Sequence, residues 1–246
     1  MMKKLNLSMV LIAFMALSHV ACAQSSTYDG PVLKVQKDKL YQLIRMSVKA
    51  GKKEQLDQYF AKIGPKIGES GAKVYSFGVV EAGEGNGPAQ MILIAEYADE
   101  SAADVIFESK EFLQNRNTRD HALSYLNEGY FRATADGEFP IGEEGRLEWI
   151  SMWMEDDGQE KLNEYFGAIM PEVTELGGKA APFAFVPALD RGNYHAHSVI
   201  LAHWKSDNAR DQFFSGKTFA ENKSKRNEAL KFLEEYKIQF IPEQGQ

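Results

Sequence analysis

The chain has 246 residues, with 28 Lys and Arg against 35 Asp and Glu and a formal charge of −7. That acidic balance argues against nucleic acid or an anionic membrane surface as a partner. One cysteine, Cys22, excludes an intrachain disulfide framework, so an apolar core must hold the fold.

Lys3 and Lys4 precede an apolar run over residues 5–17, and Ala21-Cys22-Ala23 places small residues ahead of Gln24. This is the pattern of a secretory signal peptide over residues 1–23. Cleavage after Ala23 predicts a cysteine-free mature protein that is periplasmic or secreted. The alternative is a lipoprotein anchored through Cys22, against which His19 stands where an apolar residue is usual. No later segment is long and apolar enough for a transmembrane helix.

Residues 24–39 read as a polar N-terminal arm. A β-rich stretch at 40–48 predicts a strand. Leu56, Tyr59, Phe60, Ile63 and Ile67 then recur at spacings of three and four, which predicts an amphipathic helix. Pro65 lies inside that pattern, and Gly71 stops it. Strands follow at 73–81 and 90–97, joined by the Gly-rich turn 83–88. That turn joins two strands, so it lacks the strand-to-helix setting of a phosphate loop. Asp99 or Ser101 can cap the next helical region, which breaks near Ser109 and runs to about residue 126. A strand at 128–134 closes a β–α–β–β–α–β unit over residues 40–134, the ferredoxin-like order.

Residues 135–145 read as a Gly- and acid-rich linker. The order then repeats over residues 146–246, with strands at 146–154, 182–188, 195–204 and 237–241. The repeat is visible in the residues. Segments 54–71 and 160–177 share eight of eighteen positions, including Tyr59/Tyr165, Phe60/Phe166 and Pro65/Pro171. Segments 102–126 and 209–233 share ten of twenty-five without a gap, including Arg119/Arg226.

The Tyr-Phe pairs, the strands ending in Glu96-Tyr97 and His203-Trp204, and the helix breaks Ser109–Phe112 and Gly216–Phe219 followed by Arg119 and Arg226 resemble the dimeric α/β-barrel superfamily. Within it the likeness is to an uncharacterised small-domain family whose helix break reads Ser-Pro-Glu-Tyr; Lys110 and Lys217 replace its proline. The resemblance implies an α+β fold, with two ferredoxin-like βαββαβ units packed sheet to sheet as a pseudo-dimeric α/β barrel within one chain. A lumen would lie between them. This agrees with a physical requirement: a sheet with helices on one face must cover the other.

Strand alternation sorts the candidate site residues. Arg45, Trp149 and Trp153 share the lumen-facing register of the first strands. Arg45 could hold an anionic group against a tryptophan wall; a salt bridge from Arg45 to Glu96 is the plainer role. His195, His197 and His203 fall on one face of a strand beginning at residue 195. His203 and Glu96 occupy matching positions and are candidates for acid–base work. His195 and His197 are candidates for a metal, although no zinc-type ligand spacing is present; solvent exposure is the plainer reading of both. Arg119 and Arg226 are expected to tie a helix to a carbonyl or an acid. No cofactor is expected. The functional expectation is an exported protein binding a small apolar or aromatic molecule between its two sheets; the alternative is a cofactor-independent oxygenase or isomerase, as some members of the superfamily are.

Overall fold

A computed structural model describes residues 28–85 and 87–242. The expected signal peptide and Cys22 lie outside the described residues. In chain order the elements are β1 (Val32–Val35), β2 (Leu40–Val48), α1 (Lys53–Glu69), β3 (Lys73–Ala82), β4 (Met91–Tyr97), α2 (Glu100–Phe107), α3 (Lys110–Ala122), β5 (Leu123–Ala133) and β6 (Gly137–Pro140). They continue as β7 (Arg146–Met154), α4 (Gly158–Glu175), β8 (Gly178–Ala180), β9 (Phe185–Gly192), β10 (Ser198–Trp204), α5 (Asp207–Phe214), α6 (Lys217–Ala229) and β11 (Leu230–Ile241). No helix among the described residues is long and apolar enough to cross a membrane.

The strands do not form two sheets packed face to face. They run β7-β11-β3-β4-β2-β5-β9-β10, and β10 pairs back onto β7 to close an eight-stranded antiparallel barrel. The expectation of sheet-to-sheet units is corrected on this point; the α+β class stands. Two seams make the closure. Phe77 pairs with Phe240 across β3 and β11, and Ala133 pairs with Phe185 across β5 and β9. Hydrogen bonding of both sheet edges leaves no open edge, which two stacked open sheets would have kept.

The second half supplies its seam strand in two pieces. The strand expected at 182–188 is observed as β9, which starts at Phe185 and crosses to β5, and a short β8 ahead of the expected range pairs only with the end of β10. Pro182, without an N–H to donate, lies between them. The last strand of each half also starts earlier than expected, at Leu123 and Leu230, directly where α3 and α6 end.

Alternation along the strands divides the core into three. The barrel interior holds Tyr41, Leu43, Phe77, Phe131, Trp149, Phe185 and Tyr236 among others, all with no exposed surface. Met46, Leu56, Tyr59 and Ile63 pack between the first helices and the outer barrel face, and Met152, Leu162, Tyr165 and Ile169 do so in the second half. Helix spacing explains the choice: the buried residues of α1 are Leu56, Tyr59 and Ile63, one stripe of the helix. Asp99 caps α2 by accepting from the Ala102 N–H, and Ser109 caps α3 through the Phe112 N–H, which marks the expected break.

The segments read as an arm and a linker meet. β1 pairs with β6, and Leu33, Val35, Phe139 and Ile141 are buried in the barrel's core cluster.

Candidate functional site

All neighbouring barrel strands are antiparallel, so β2 and β7 run in the same direction and their matching residues share one end of the barrel. Arg45 and Ser151 lie toward the end where β2 and β7 finish; Glu96 and His203 lie toward the other. Arg45 therefore does not meet Glu96. It is ion-paired with Glu234 inside the barrel, both side chains at or below 7% exposure. Its Nη2 also donates to Asn127 at 2.5 Å, and its guanidinium lies 4.0 Å from the centroid of the Tyr194 ring. Trp153 flanks the same guanidinium at 5.8 Å.

A hydrogen-bond chain continues from there. Tyr194 and Ser151 hydroxyls are 2.5 Å apart, Trp149 Nε1 donates to Ser151 at 3.0 Å, and Tyr236 donates to Glu234 at 3.1 Å. Burial pushes the Tyr194 hydroxyl up to about 12, so it stays a neutral donor at ordinary pH. Arg45, Trp149 and Trp153 are thus brought to one end of the barrel. Aromatic rings and this network pack the interior there.

Glu96 is buried at the opposite end, where Lys73 reaches it at 3.6 Å. His203 Nε2 donates to the Glu144 carbonyl at 2.9 Å, and burial pushes its imidazole below the ordinary value. No hydrogen bond or ion pair joins Glu96 to His203 in the described residues. The strand expected at His195 begins at Ser198, and an irregular stretch before it reverses the alternation. Tyr194 and Ala196 face the barrel interior, whereas His195 and His197 are exposed. His197 Nδ1 accepts from the Met154 N–H at 2.7 Å, and burial pushes the ring below its ordinary value. No group of three or more His, Cys, Asp or Glu side chains fit to hold a metal occurs among the described residues.

Two matching cavities lie outside the barrel, under the helices. One, of about 90 Å³, separates α1 and α3 from the outer face of β2, β4 and β5; Leu56, Ile63, Leu93 and Phe112 line it. A second, also of about 90 Å³, occupies the matching place in the other half, between Leu162, Ile169, Ile200 and Phe213. Each ends in the same polar set: Tyr59, Arg119 and Glu128 in the first, Tyr165, Arg226 and Glu235 in the second.

The two polar ends are wired differently. In the first, Gln42 donates to Glu128 at 2.9 Å and accepts from the Tyr97 hydroxyl at 3.1 Å; Arg119 lies 3.8 Å from Glu128. Burial pushes the Glu128 carboxyl upward, and the arginine opposes it. In the second, Glu148 stands where Gln42 would. Arg146 and Arg210 each contact both Glu148 and Glu235, and Trp204 Nε1 donates to Glu148 at 3.0 Å. Burial, then the neighbouring Glu148, pushes Glu235 up to about 7. Burial also pushes Tyr59 and Tyr165 up to about 12.

Sequence reasoning singled out Arg119 and Arg226 as structural ties and passed over their acids. The signal was available: tyrosine, arginine and glutamate recur at matching positions of both copies, where most polar positions have diverged. Tyr194 and Glu234 had no such signal, because the first copy carries Gly87 and Asn127 in their places.

No family model matches the sequence, and no curated protein is similar to it. Solved structures are. An anthrone oxidase-like protein superposes with a TM-score of 0.53 at 11% identity, covering 85% of this chain and 94% of that one. The two chains share a fold. At such identity the likeness shows the fold alone. A candidate monooxygenase from Fusobacterium nucleatum (TM-score 0.49, 10% identity, 83% and 93% covered) and a chlorite dismutase variant from Candidatus Nitrospira defluvii (0.49, 10%, 85% and 93%) are more distant in shape.

Proposed function

We propose that the protein binds a small, largely apolar molecule carrying one polar group, in the clefts between helices and barrel. The observation that carries this reading is the recurrence of one cleft design in both halves: apolar walls ending in tyrosine, arginine and glutamate. Ligand pockets are commonly apolar with a few convergent polar groups. The space between the two sheets, the place expected from the sequence, is filled by Tyr41, Phe131, Trp149 and their neighbours. At about 90 Å³ each cleft is smaller than the roughly 150 Å³ apolar cavity that accepts benzene, so a one-ring ligand requires α1 or α4 to move outward.

A second reading is a cofactor-independent oxygenase or isomerase acting on such a molecule. What supports it is the buried titratable set at each cleft end, where burial holds carboxyl groups above their ordinary range. The oxidase-like neighbour contributes only its fold.

The matching element order, together with the identities between segments 54–71 and 160–177, supports an origin by tandem duplication, with units at 40–134 and 146–246. The helix breaks at 109–112 and 216–219 support kinship with the small-domain family. The basic, apolar and small-residue sequence of residues 1–23 supports export to the periplasm or beyond. The mass of the mature N-terminus tests that part, and a lipid on Cys22 would replace free export by anchoring.

Binding is tested by titrating 4-ethylphenol and ethylbenzene into the mature protein with calorimetry. Saturable binding of either, abolished by the double substitution Ile63→Trp with Ile169→Trp, is the expected result. Binding that survives filling both clefts would sink the reading.

A further inference from the structure

The two clefts match in place and lining, but they are closed to different degrees. The first shares Arg119, Leu123, Leu126 and Glu128 with a polar groove of about 400 Å³ that reaches Arg116, Asp120 and Asn193. In each half a turn lies over the backbone of the cleft acid: the Asn193 and Tyr194 N–H groups donate to the Glu128 carbonyl in the first, and the turn after β3 covers Glu235 in the second, where a side chain of the turn also closes on the cleft arginine. Glu84 reaches Arg226 at 3.1 Å, its carbonyl accepts from the Glu235 N–H at 2.9 Å, and the Gly83 N–H donates to the Glu235 carbonyl at 2.8 Å. A Cβ on Gly83 would press on the Glu235 carboxylate, so the turn sits directly against it.

The residue that matches Glu84 is Arg191. An arginine cannot pair with Arg119, and Arg191 turns away to Asp104 at 2.7 Å. The result shows in exposure: the Glu128 side chain is 21% exposed and that of Glu235 5%. The second cleft's acids are also both held by Arg146 and Arg210, leaving them little capacity for a newcomer.

We propose that the first cleft alone admits ligand, through the groove beside Arg119 and Glu128, and that the ligand's polar group is an uncharged hydroxyl on a one-ring apolar body. This rests on the cleft-binding reading above. The hydroxyl follows from the charges at the entrance. Arg116 and Arg119 are balanced there by Asp120 and Glu128, so a carboxylate or ammonium head would bury a charge without a counter-ion. A hydroxyl can donate to Glu128 and accept from Arg119 at once, and bonds with a charged partner are the stronger kind.

The test uses the full mature protein with isotope-labelled isoleucine methyl groups and NMR titration of 4-ethylphenol and 4-ethylbenzoate. Ile44 and Ile63 line the first cleft, Ile150 and Ile169 the second. The expected result is a saturable shift of first-cleft methyls, among them Ile44 and Ile63, with none at Ile150, Ile169 or Ile200, and 4-ethylbenzoate at least tenfold weaker. Glu128→Gln should weaken 4-ethylphenol at least tenfold, and Glu84→Ala should open the second cleft so that Ile150 and Ile169 respond. Shifts at Ile150 and Ile169 in the unaltered protein, or equal affinity for the benzoate, overturn this inference and leave cleft binding standing. Silence at both methyl sets overturns cleft binding and this inference together. The wild-type titration decides the choice of cleft even if a substituted protein fails to fold.

Discussion

The two halves of the barrel share their apolar lining and the tyrosine, arginine and glutamate set under the helices, whereas inside the barrel they differ, and that difference is reciprocal. Where the second half places Tyr194, the first has Gly87; where the second places Tyr236, the first has Gly129. A Cβ on Gly87 would overlap the Tyr236 hydroxyl and the Glu234 carboxylate, and one on Gly129 would overlap the backbone of Tyr194. Each glycine of the first half thus makes room for a tyrosine of the second. The same logic applies to charge: Arg45 faces Asn127 within its own half and Glu234 from the other. A barrel of two identical halves could not hold one arginine between an amide and an acid. The asymmetry therefore ties the halves to each other rather than to copies of themselves.

The sharpest way to break this relation is Arg45→Ser, which copies Ser151 into the first half. It leaves Glu234 buried with only Tyr236 as a donor, and loss of one partner of a buried pair costs about 3–5 kcal/mol. Chemical denaturation measures it. Adding Glu234→Asn should recover more than half of the loss; no recovery would mean that packing on Tyr194, not charge, holds the site.

Next in size is Gly87→Ala, expected to cost about 1–3 kcal/mol through overpacking. Tyr236→Phe removes the hydroxyl that the new methyl group meets, so a double-mutant cycle should show favourable coupling between the two. Strict additivity would disconnect the reciprocal swap from the packing.

The clefts give a pH-dependent difference. Glu235 is raised from 4.5 to about 7, so the folded state holds a proton that the unfolded state has released over that range. Its contribution to stability is complete below about 4.5 and is lost as pH rises through about 7, at most about 3 kcal/mol. Glu148→Gln should flatten this slope by removing the like charge. Gln42→Glu should steepen the matching slope in the first half, where burial already raises Glu128 and the native amide donates to it. Denaturant midpoints between pH 4 and 8 check both. An unchanged slope in Glu148→Gln would assign the shift to burial alone.

The smallest expected effect lies at the far end of the barrel. Lys73 is 70% exposed and 3.6 Å from Glu96, so Lys73→Met should change stability by less than about 1 kcal/mol. A larger loss would show that the Lys73–Glu96 pair contributes more than an exposed ion pair does.

The sequence by itself determined the order of the main strands and helices in each half, the stripe Leu56, Tyr59 and Ile63, a cap at Asp99 or Ser101, the helix break near Ser109, and which face of β2 and β7 meets the barrel interior. These follow from periods of 3.6 and 2 and from local capping, which act over a few residues. It also placed Arg45, Trp149 and Trp153 on one face. It did not show that the arm and the linker carry β1 and β6. It did not reveal that Arg45 meets Glu234, 189 positions away, nor that Tyr194 and Ala196 face inward with Val199, although the plainer reading of His195 and His197 as exposed agrees with the structure. Only the tertiary structure decided those points, along with the closure of two sheets into one barrel. Strand edges carry no side-chain pattern that names their partner, and one irregular residue before Ser198 reverses every face ahead of it.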